Sequence, residues 1–285
     1  MGGNLKAQYG PWVMIAGAAQ GIARAWAERL GQEGLDLVLI DREADQLNET
    51  CRELEEQFGV TCHPVVADLG HADCLSTIVS AVADREIGLL VYNAAMADVG
   101  PFFKAETNLD VELTRAQVNM LSPLTLIYHY ARPMLARKRG GIVLMSSGSG
   151  LQGAPFYAHY AATKAYSIVL AESLWYEFKP YNVHVLACIA GMTLSPAIIE
   201  AVERGEGKHS VYQTPAEVAD EGLAALGKDP SHLCGMPNRD GQGHLNSLPR
   251  EQAVAAVAQH AIRNFLNDET PEQYLEEIAK AGEAS

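Results

Sequence analysis

Tyr160 and Lys164 stand four residues apart, and Ser147 lies thirteen residues before the tyrosine. On a helix, residues at i and i+4 share a face, so an ammonium group would sit close to a phenol. A nearby cation favours phenolate and draws the phenol's pKa down from about 10 towards neutrality. Tyr160 then has the chemistry of a general acid/base. Ser147 closes an apolar run, Ile142–Met145, that reads as a strand. In open α/β sheets, ligands bind beyond such strand ends.

A second constellation suits an anion. Ala16-Gly17-Ala18-Ala19-Gln20-Gly21-Ile22-Ala23 lies between a strand-like run, Trp12–Ala16, and a helical stretch, Gly21–Gln32. Free N–H groups at a helix start bind pyrophosphate, and glycine allows both the tight turn and close backbone approach. Asp41 ends the next strand, 24 residues after Gly17. Its carboxylate can accept from both ribose hydroxyls of NAD and would repel the 2′-phosphate of NADP. Arg42 follows and could reach that phosphate, and Asp41 could instead cap the helix from Glu43.

These residues need a scaffold. Apolar runs at Trp12–Ala16, Leu35–Ile40, Val60–Val66, Ile87–Tyr92, Ile142–Met145 and Val183–Ile189 read as strands buried on both faces. Helical stretches lie between them: Gly21–Gln32, Glu43–Gln57, Ala72–Arg85, Leu109–Arg137 (bent at Pro123) and Ala158–Phe178. Alternation of this kind implies a parallel, Rossmann-type, doubly wound α/β sheet of about seven strands with helices on both faces, in a single domain covering 1–285. Beyond Gly191, helices are expected at Pro196–Arg204, Pro215–Gly227, Arg250–Leu266 and Pro271–Ala281, a weak last strand at His232–Met236, and a polar loop at Asn238–Leu248. Residues 191–285 are expected to form a substrate lid and closing helices.

Composition excludes more than it names. Lys and Arg number 21 and Asp and Glu 35, a net charge of −14, which argues against nucleic acid and against anionic membrane surfaces as partners. No apolar run is long enough to cross a membrane. The opening Met1–Tyr9 is polar, and the five cysteines form no CxxC pair. Cytoplasmic thiols are therefore expected, and no metal, since no His/Cys/Asp/Glu group has ligand spacing.

Together the motifs resemble the short-chain dehydrogenase/reductase family, its short single-domain subgroup, from about Trp12 to Ser195. Gly17-x-x-x-Gly21-Ile22 matches the family's glycine motif. Asp68-Leu69 follows the third strand, where the family contacts adenine. Asn93-Ala94-Ala95 stands for Asn-Ala-Gly, Asn119 for a catalytic asparagine, and Ser147 with Tyr160-x-x-x-Lys164 for the catalytic core. Ala190-Gly191 replaces Pro-Gly, and Ser195 replaces a threonine. Alanine also stands at 16, 23 and 95 where the family has other residues, which bears on cofactor affinity.

The resemblance implies reversible hydride transfer between a nicotinamide and a carbinol or carbonyl carbon. Tyr160 would exchange the hydroxyl proton and Ser147 would hold the substrate oxygen. Lys164 would lower the tyrosine pKa and bind the ribose, and Asn119 would hold a water leading to solvent. Cofactor contacts are implied for Gly17, Gln20, Gly21, Ile22, Asp41, Arg42, Asp68, Leu69, Asn93, Ala94, Tyr160, Lys164, Gly191 and Ser195. NAD is favoured by Asp41, with NADP open through Arg42.

Each residue also has a plainer role: Asn119 as a helix brace, Asn93 as a turn residue, Ser195 as a cap for the helix at Pro196, and His159 as surface or pocket rim. Met96, Leu151, Tyr157 and Met192, with Phe102, Phe103, Phe156 and Ile198 nearby, would line an apolar pocket. The substrate expected is a small hydrophobic secondary alcohol or ketone. Alternatives are an NADP-dependent ketoreductase using Arg42 and a cofactor-binding regulatory protein with little turnover. The stripe Ile168, Leu170, Leu174, Trp175 and Phe178 is read as core or subunit interface, and the family's habit implies a homodimer or homotetramer.

Overall fold

The computed structural model describes residues 5–103, 108–205, 207 and 210–266. After a short helix α1 (Leu5–Tyr9), strands and helices alternate: β1 (Trp12–Ala16), α2 (Gly21–Gln32), β2 (Asp36–Asp41), α3 (Ala44–Phe58), β3 (Cys62–Val66), α4 (Cys74–Val82) and β4 (Ile87–Tyr92). There follow α5 (Leu109–Ala116), α6 (Ser122–Arg137), β5 (Gly140–Ser147), α7 (Ala158–Phe178) and β6 (Val183–Ala190). The remainder comprises α8 (Pro196–Glu203), α9 (Pro215–Ala225), β7 (Ser231–Leu233), α10 (Met236–Ser247) and α11 (Arg250–Phe265). The strands form one seven-stranded parallel sheet in the order β3-β2-β1-β4-β5-β6-β7. The order reverses between β1 and β4, and the crevice at their carboxyl ends is where such sheets bind ligands.

Side-chain alternation gives the central strands two buried faces. Val13, Ile15, Leu37, Leu39, Leu89 and Val91 pack under α2, α3 and α9, against Trp26, Leu30, Leu47 and Val218. Met14, Val38, Ile40, Leu90 and Tyr92 face the other way, onto Ile78 of α4, Leu126 of α6 and Ile168 of α7. Leu170, Leu174, Trp175 and Phe178 of α7 are partly buried against this second core. That stripe is therefore core. The exposed apolar residues of α7 are others, Val169 and Tyr176.

Three expectations change. The long helix from Leu109 is interrupted at Gln117–Leu121 by a turn of π-helix, which ends two residues before Pro123. Pro123 lies in the first turn of α6, directly after the π-helical turn. The expected loop Asn238–Leu248 is helix α10, although Gly241 and Gly243 disfavour one. Tertiary bonds override that propensity. Arg239 donates to the Leu233 carbonyl and to Glu221, Asn238 donates to the Cys234 carbonyl and Gln213, and Gln242 donates to Gln152. The last strand is Ser231–Leu233, shorter and earlier than expected, and Cys234 follows it. The helix expected at Pro271–Ala281 lies outside the described residues. All five cysteines are buried free thiols.

Candidate active site

The site grows from the carboxyl end of β5. Ser146 Oγ donates to the Lys164 carbonyl at 2.9 Å, and Lys164 Nζ donates to the Met145 carbonyl at 3.0 Å. Two consecutive residues of the strand thus grip one residue of α7. Gly150 completes the fit, because a Cβ there would lie 2.7 Å from both Ala165 N and the Lys164 carbonyl carbon. Ser147, the last residue of β5, pairs with Ala190 at the end of β6. Its Oγ accepts from Ser149 Oγ at 3.1 Å, and its hydroxyl favours the Tyr160 phenolate. The four-residue spacing and the thirteen-residue gap therefore do place serine, tyrosine and lysine around one strand end.

Electrostatics at the tyrosine differ from the sequence expectation. Burial raises the Tyr160 pKa, and the Ser147 hydroxyl and the Arg115 charge offset part of that rise. Lys164 Nζ is 5.7 Å from the Tyr160 ring centroid and is turned to the Met145 carbonyl. Burial also lowers the lysine itself to about 8. Arg115 adds a second positive charge that favours the phenolate, from a residue the sequence did not single out.

Asn119 is buried within the π-helical turn. Its Nδ2 donates to Thr163 Oγ1 at 2.9 Å and to the Met96 carbonyl at 3.0 Å, and its Oδ1 accepts from Met96 N at 2.8 Å. Thr163 Oγ1 in turn donates to the Tyr160 carbonyl at 2.7 Å. The side chain thus clamps the segment after β4 to the first turn of α7. These bonds are those of a brace between the two segments.

The implied cofactor residues cluster at the carboxyl ends of β1, β2, β4 and β6. Gly17, at φ 78°, would place a Cβ 2.8 Å from Ala94 Cα, so the turn and the segment after β4 meet backbone to backbone. Asn93 N and Ala94 N both donate to the Ala16 carbonyl, at 3.1 and 2.9 Å. Gly21, the first residue of α2, packs against Ser195 and Pro196. Ser195 makes no side-chain cap on α8. Asp41 Oδ2 accepts from Ala19 N at 3.0 Å, and its Oδ1 accepts from Arg42 N and Glu43 N. It braces the glycine turn while capping local backbone. Arg42 is largely exposed and pairs with Glu43 at 3.2 Å. Asp68 Oδ1 accepts from Gly70 N at 2.7 Å. Leu69 is buried, and its carbonyl accepts from Ser122 at 2.7 Å.

A dinucleotide fits these residues. No side chain caps the start of α2, the Gln20 amide included, and its first turn holds no acidic residue. Its N–H groups are thus free of side-chain competitors, as pyrophosphate requires. Asp41 already accepts from three N–H groups and keeps one lone pair, on Oδ2, for a ribose hydroxyl.

Of the expected substrate residues, Tyr157 shares a cleft with Tyr160, lined also by Phe102, Phe156 and His159. The Tyr157 ring meets Phe265 of α11 edge-on at 6.3 Å between centroids. Met96 has its backbone held by Asn119, Met192 accepts from Gln213 N at 2.8 Å, and Leu151 packs against the second core. Phe103 is exposed. The sequence reading missed Arg115, Glu112 and Asp98, which line the same cleft. Their signal was weak: an Asp and an i,i+3 Glu–Arg pair look like solvated surface.

Glu221, His232 and Cys234 stand within 4.8 Å of one another. Glu221 already accepts from Arg239, His232 and Gly235 N, so a protein cation balances it.

The model of the short chain dehydrogenase family matches residues 11–205, more than half of the chain. The chain belongs to that family and is an oxidoreductase acting on CH–OH groups with NAD(H) or NADP(H). Among similar proteins is a 7beta-hydroxysteroid dehydrogenase of Clostridium sardiniense, 28% identical over 254 residues, covering 89% of this chain and 97% of that one. A 7beta-hydroxysteroid dehydrogenase of Mediterraneibacter gnavus is 30% identical over 239 residues, covering 83% and 90%. A solved structure from work on 7beta-hydroxysteroid dehydrogenase stereoselectivity has a TM-score of 0.84 at 27% identity and covers 90% of this chain and 99% of that one. No helix among the described residues is long and apolar enough to cross a membrane.

Proposed function

We propose that the protein interconverts a hydrophobic, ring-bearing secondary alcohol and its ketone with NAD(H), using Tyr160 as the acid/base. The observation that carries this is Lys164 of α7 bolted to the end of β5 beside Ser147, with Tyr160 one turn earlier on the same helix. When bound, the dinucleotide supplies or accepts the hydride. In oxidation Tyr160 takes the hydroxyl proton, and in reduction it returns it. Ser147 holds the substrate oxygen against the phenol. Lys164 fixes the tyrosine's helix and would hold the ribose of a bound dinucleotide. The raised phenol pKa keeps Tyr160 protonated near neutrality in the ligand-free chain, which suits reduction.

The names of the similar proteins support a hydroxysteroid as the first substrate class to try. Asp41 beside the glycine turn, with Arg42 drawn to Glu43, supports NAD over NADP. Residues from 191 onward are proposed as lid and closing helices, consistent with Ser195 packing on Gly21. Exposed Leu113, Leu121, Leu124 and Tyr128, together with Val169 and Tyr176, support a homo-oligomer.

The test is oxidation of a 7β-hydroxysteroid with NAD, read as reduced-nicotinamide absorbance, for wild type and Tyr160→Phe. Loss of the acid/base is expected to cut kcat by about 100-fold or more. A Tyr160→Phe variant as fast as wild type sinks the assignment. Dissociation constants for NADH and NADPH test the cofactor choice, and tighter NADPH binding overturns it.

A further inference from the structure

Glycine at 191 is required by a neighbour and not by its own backbone. Its φ is outside the left-handed region that favours glycine. A Cβ there would lie 2.1 Å from Asn238 Nδ2 and 2.4 Å from Asn238 Cγ. The Asn238 amide thus fills the space that a side chain at 191 would take. Asn238 stands in the first turn of α10, the helix whose sequence pattern reads as a loop.

That amide is fixed from behind. Its Nδ2 donates to the Cys234 carbonyl at 2.8 Å and lies 3.0 Å from the side-chain amide of Gln213. The next residue, Arg239, donates to Glu221 at 2.8 Å and to the Leu233 carbonyl at 2.7 Å, and Glu221 also accepts from Gly235 N at 3.0 Å. Glu221 belongs to α9, so the backbone that carries Asn238 is held independently of the loop it meets. Gln213, 7% exposed, holds the same loop through its own backbone. Its N–H donates to the Met192 carbonyl at 2.8 Å, and its carbonyl accepts from Leu194 N at 2.9 Å. One residue further on, Ser195 packs on Gly21 at the glycine turn.

We infer that Asn238 is a positioning residue for the dinucleotide: its pinned amide, with Gln213 beside it, sets where the 191–195 loop stands against the glycine turn. This rests on the reading that Gly191 and Ser195 meet the dinucleotide. Asn238 acts through Gly191 and not by contact with the cofactor. A loop already held where a ligand needs it loses little freedom on binding, so loosening it weakens binding. The same reasoning gives helix α10 a task, since a flexible polar loop over 238–248 would not hold an amide at one place.

The experiment reads binding and backbone protection, without turnover. Fluorescence titration of the full chain gives the NADH dissociation constant, and hydrogen exchange read by mass spectrometry follows peptides across 191–195 with and without NADH. In wild type, NADH should slow exchange there. Asn238→Ala should raise the dissociation constant about tenfold and blunt that protection. Gly191→Ala should weaken NADH by a similar factor, because its methyl meets the pinned amide. Once Asn238→Ala has removed the amide, adding Gly191→Ala should change the constant by less than about twofold. A merely structural role lowers the melting temperature, leaves the constant of folded Asn238→Ala unmoved, and lets Gly191→Ala cost the same factor in both backgrounds; either of the last two results overturns the inference. Should Gly191→Ala fail to fold, the Asn238→Ala constant decides alone. Should Asn238→Ala fail to fold, Asn238→Asp keeps the size, sets an acceptor against the Cys234 carbonyl, and must raise the constant as well. No protection of 191–195 in wild type overturns the reading of this loop, and the inference with it. Protection with an unmoved constant in Asn238→Ala overturns the inference alone.

Discussion

Replacing Asn119 by leucine isolates what its amide holds. Leucine is close in size and makes no hydrogen bond. Asn119 is 2% exposed and makes three: two with the Met96 backbone and one with Thr163. A net value of about 1 kcal/mol for each gives a loss of about 3 kcal/mol. The Met96 groups are only partly buried and can take water instead, so no further penalty for orphaned groups is added. At about 2–4 °C per kcal/mol, the melting temperature should fall by about 6–12 °C. Thermal melts by far-ultraviolet circular dichroism, with urea titrations beside them, measure both quantities. Thr163→Ala alone removes that bond and the one to the Tyr160 carbonyl and should cost about 2 kcal/mol, and the double variant should fall short of additivity by about 1 kcal/mol, because the two share one bond. An Asn119→Leu protein that melts within about 1 °C of wild type would refute the clamp.

Lys164→Met should abolish activity and yet stabilise the fold at neutral pH. The buried ammonium has a folded pKa of about 8, below its unfolded value of 10.5, so the unfolded chain binds more protons between them. The lysine therefore destabilises fully below about pH 8 and progressively less towards pH 10.5, an upper limit of about 3 kcal/mol that the Met variant recovers. Urea midpoints at pH 7 and pH 10 check the sign, and the advantage must shrink at the higher pH. Gly150→Ala should push α7 off the end of β5, lowering kcat by about tenfold or more with a smaller effect on KM; steady-state kinetics with a melt curve separates this from unfolding. Asp41→Ser removes the charge facing the ribose and weakens the hold on Ala19, so the ratio of NADPH to NADH dissociation constants should fall by about tenfold in fluorescence titrations.

The sheet was legible because each strand from Trp12 to Ile189 is an apolar run between helical stretches, and buried parallel strands have little other vocabulary. The Tyr160–Lys164 spacing was legible for the same local reason. What escaped the sequence depends on distant partners. Helix α10 holds two glycines and is kept helical by Glu221, Gln213 and Gln152, which come from elsewhere in the chain. The π-helical turn at Gln117–Leu121 has no composition of its own and aims Asn119 at Thr163. Arg115 looked like a solvated helix charge until the fold closed the segment after β4 and the start of α7 over it. Its pair with Glu112 is visible in the sequence, but its burial is not.

The position of β1 bears on how the chain comes into being. It sits between β2 and β4, and Trp12 pairs with Ile87, 75 positions further along. At a synthesis rate of about 5–20 residues per second, one side of β1 waits about 4–15 s for its neighbour. Until then a strand of Trp, Val, Met, Ile and Ala presents an open row of amides and carbonyls, the kind of edge that recruits other chains. The two halves of the sheet join late, through contacts of long sequence separation, which makes folding slow for a stable product. Yield in a cell should thus depend more on chaperone supply during those seconds than on the stability of the finished sheet.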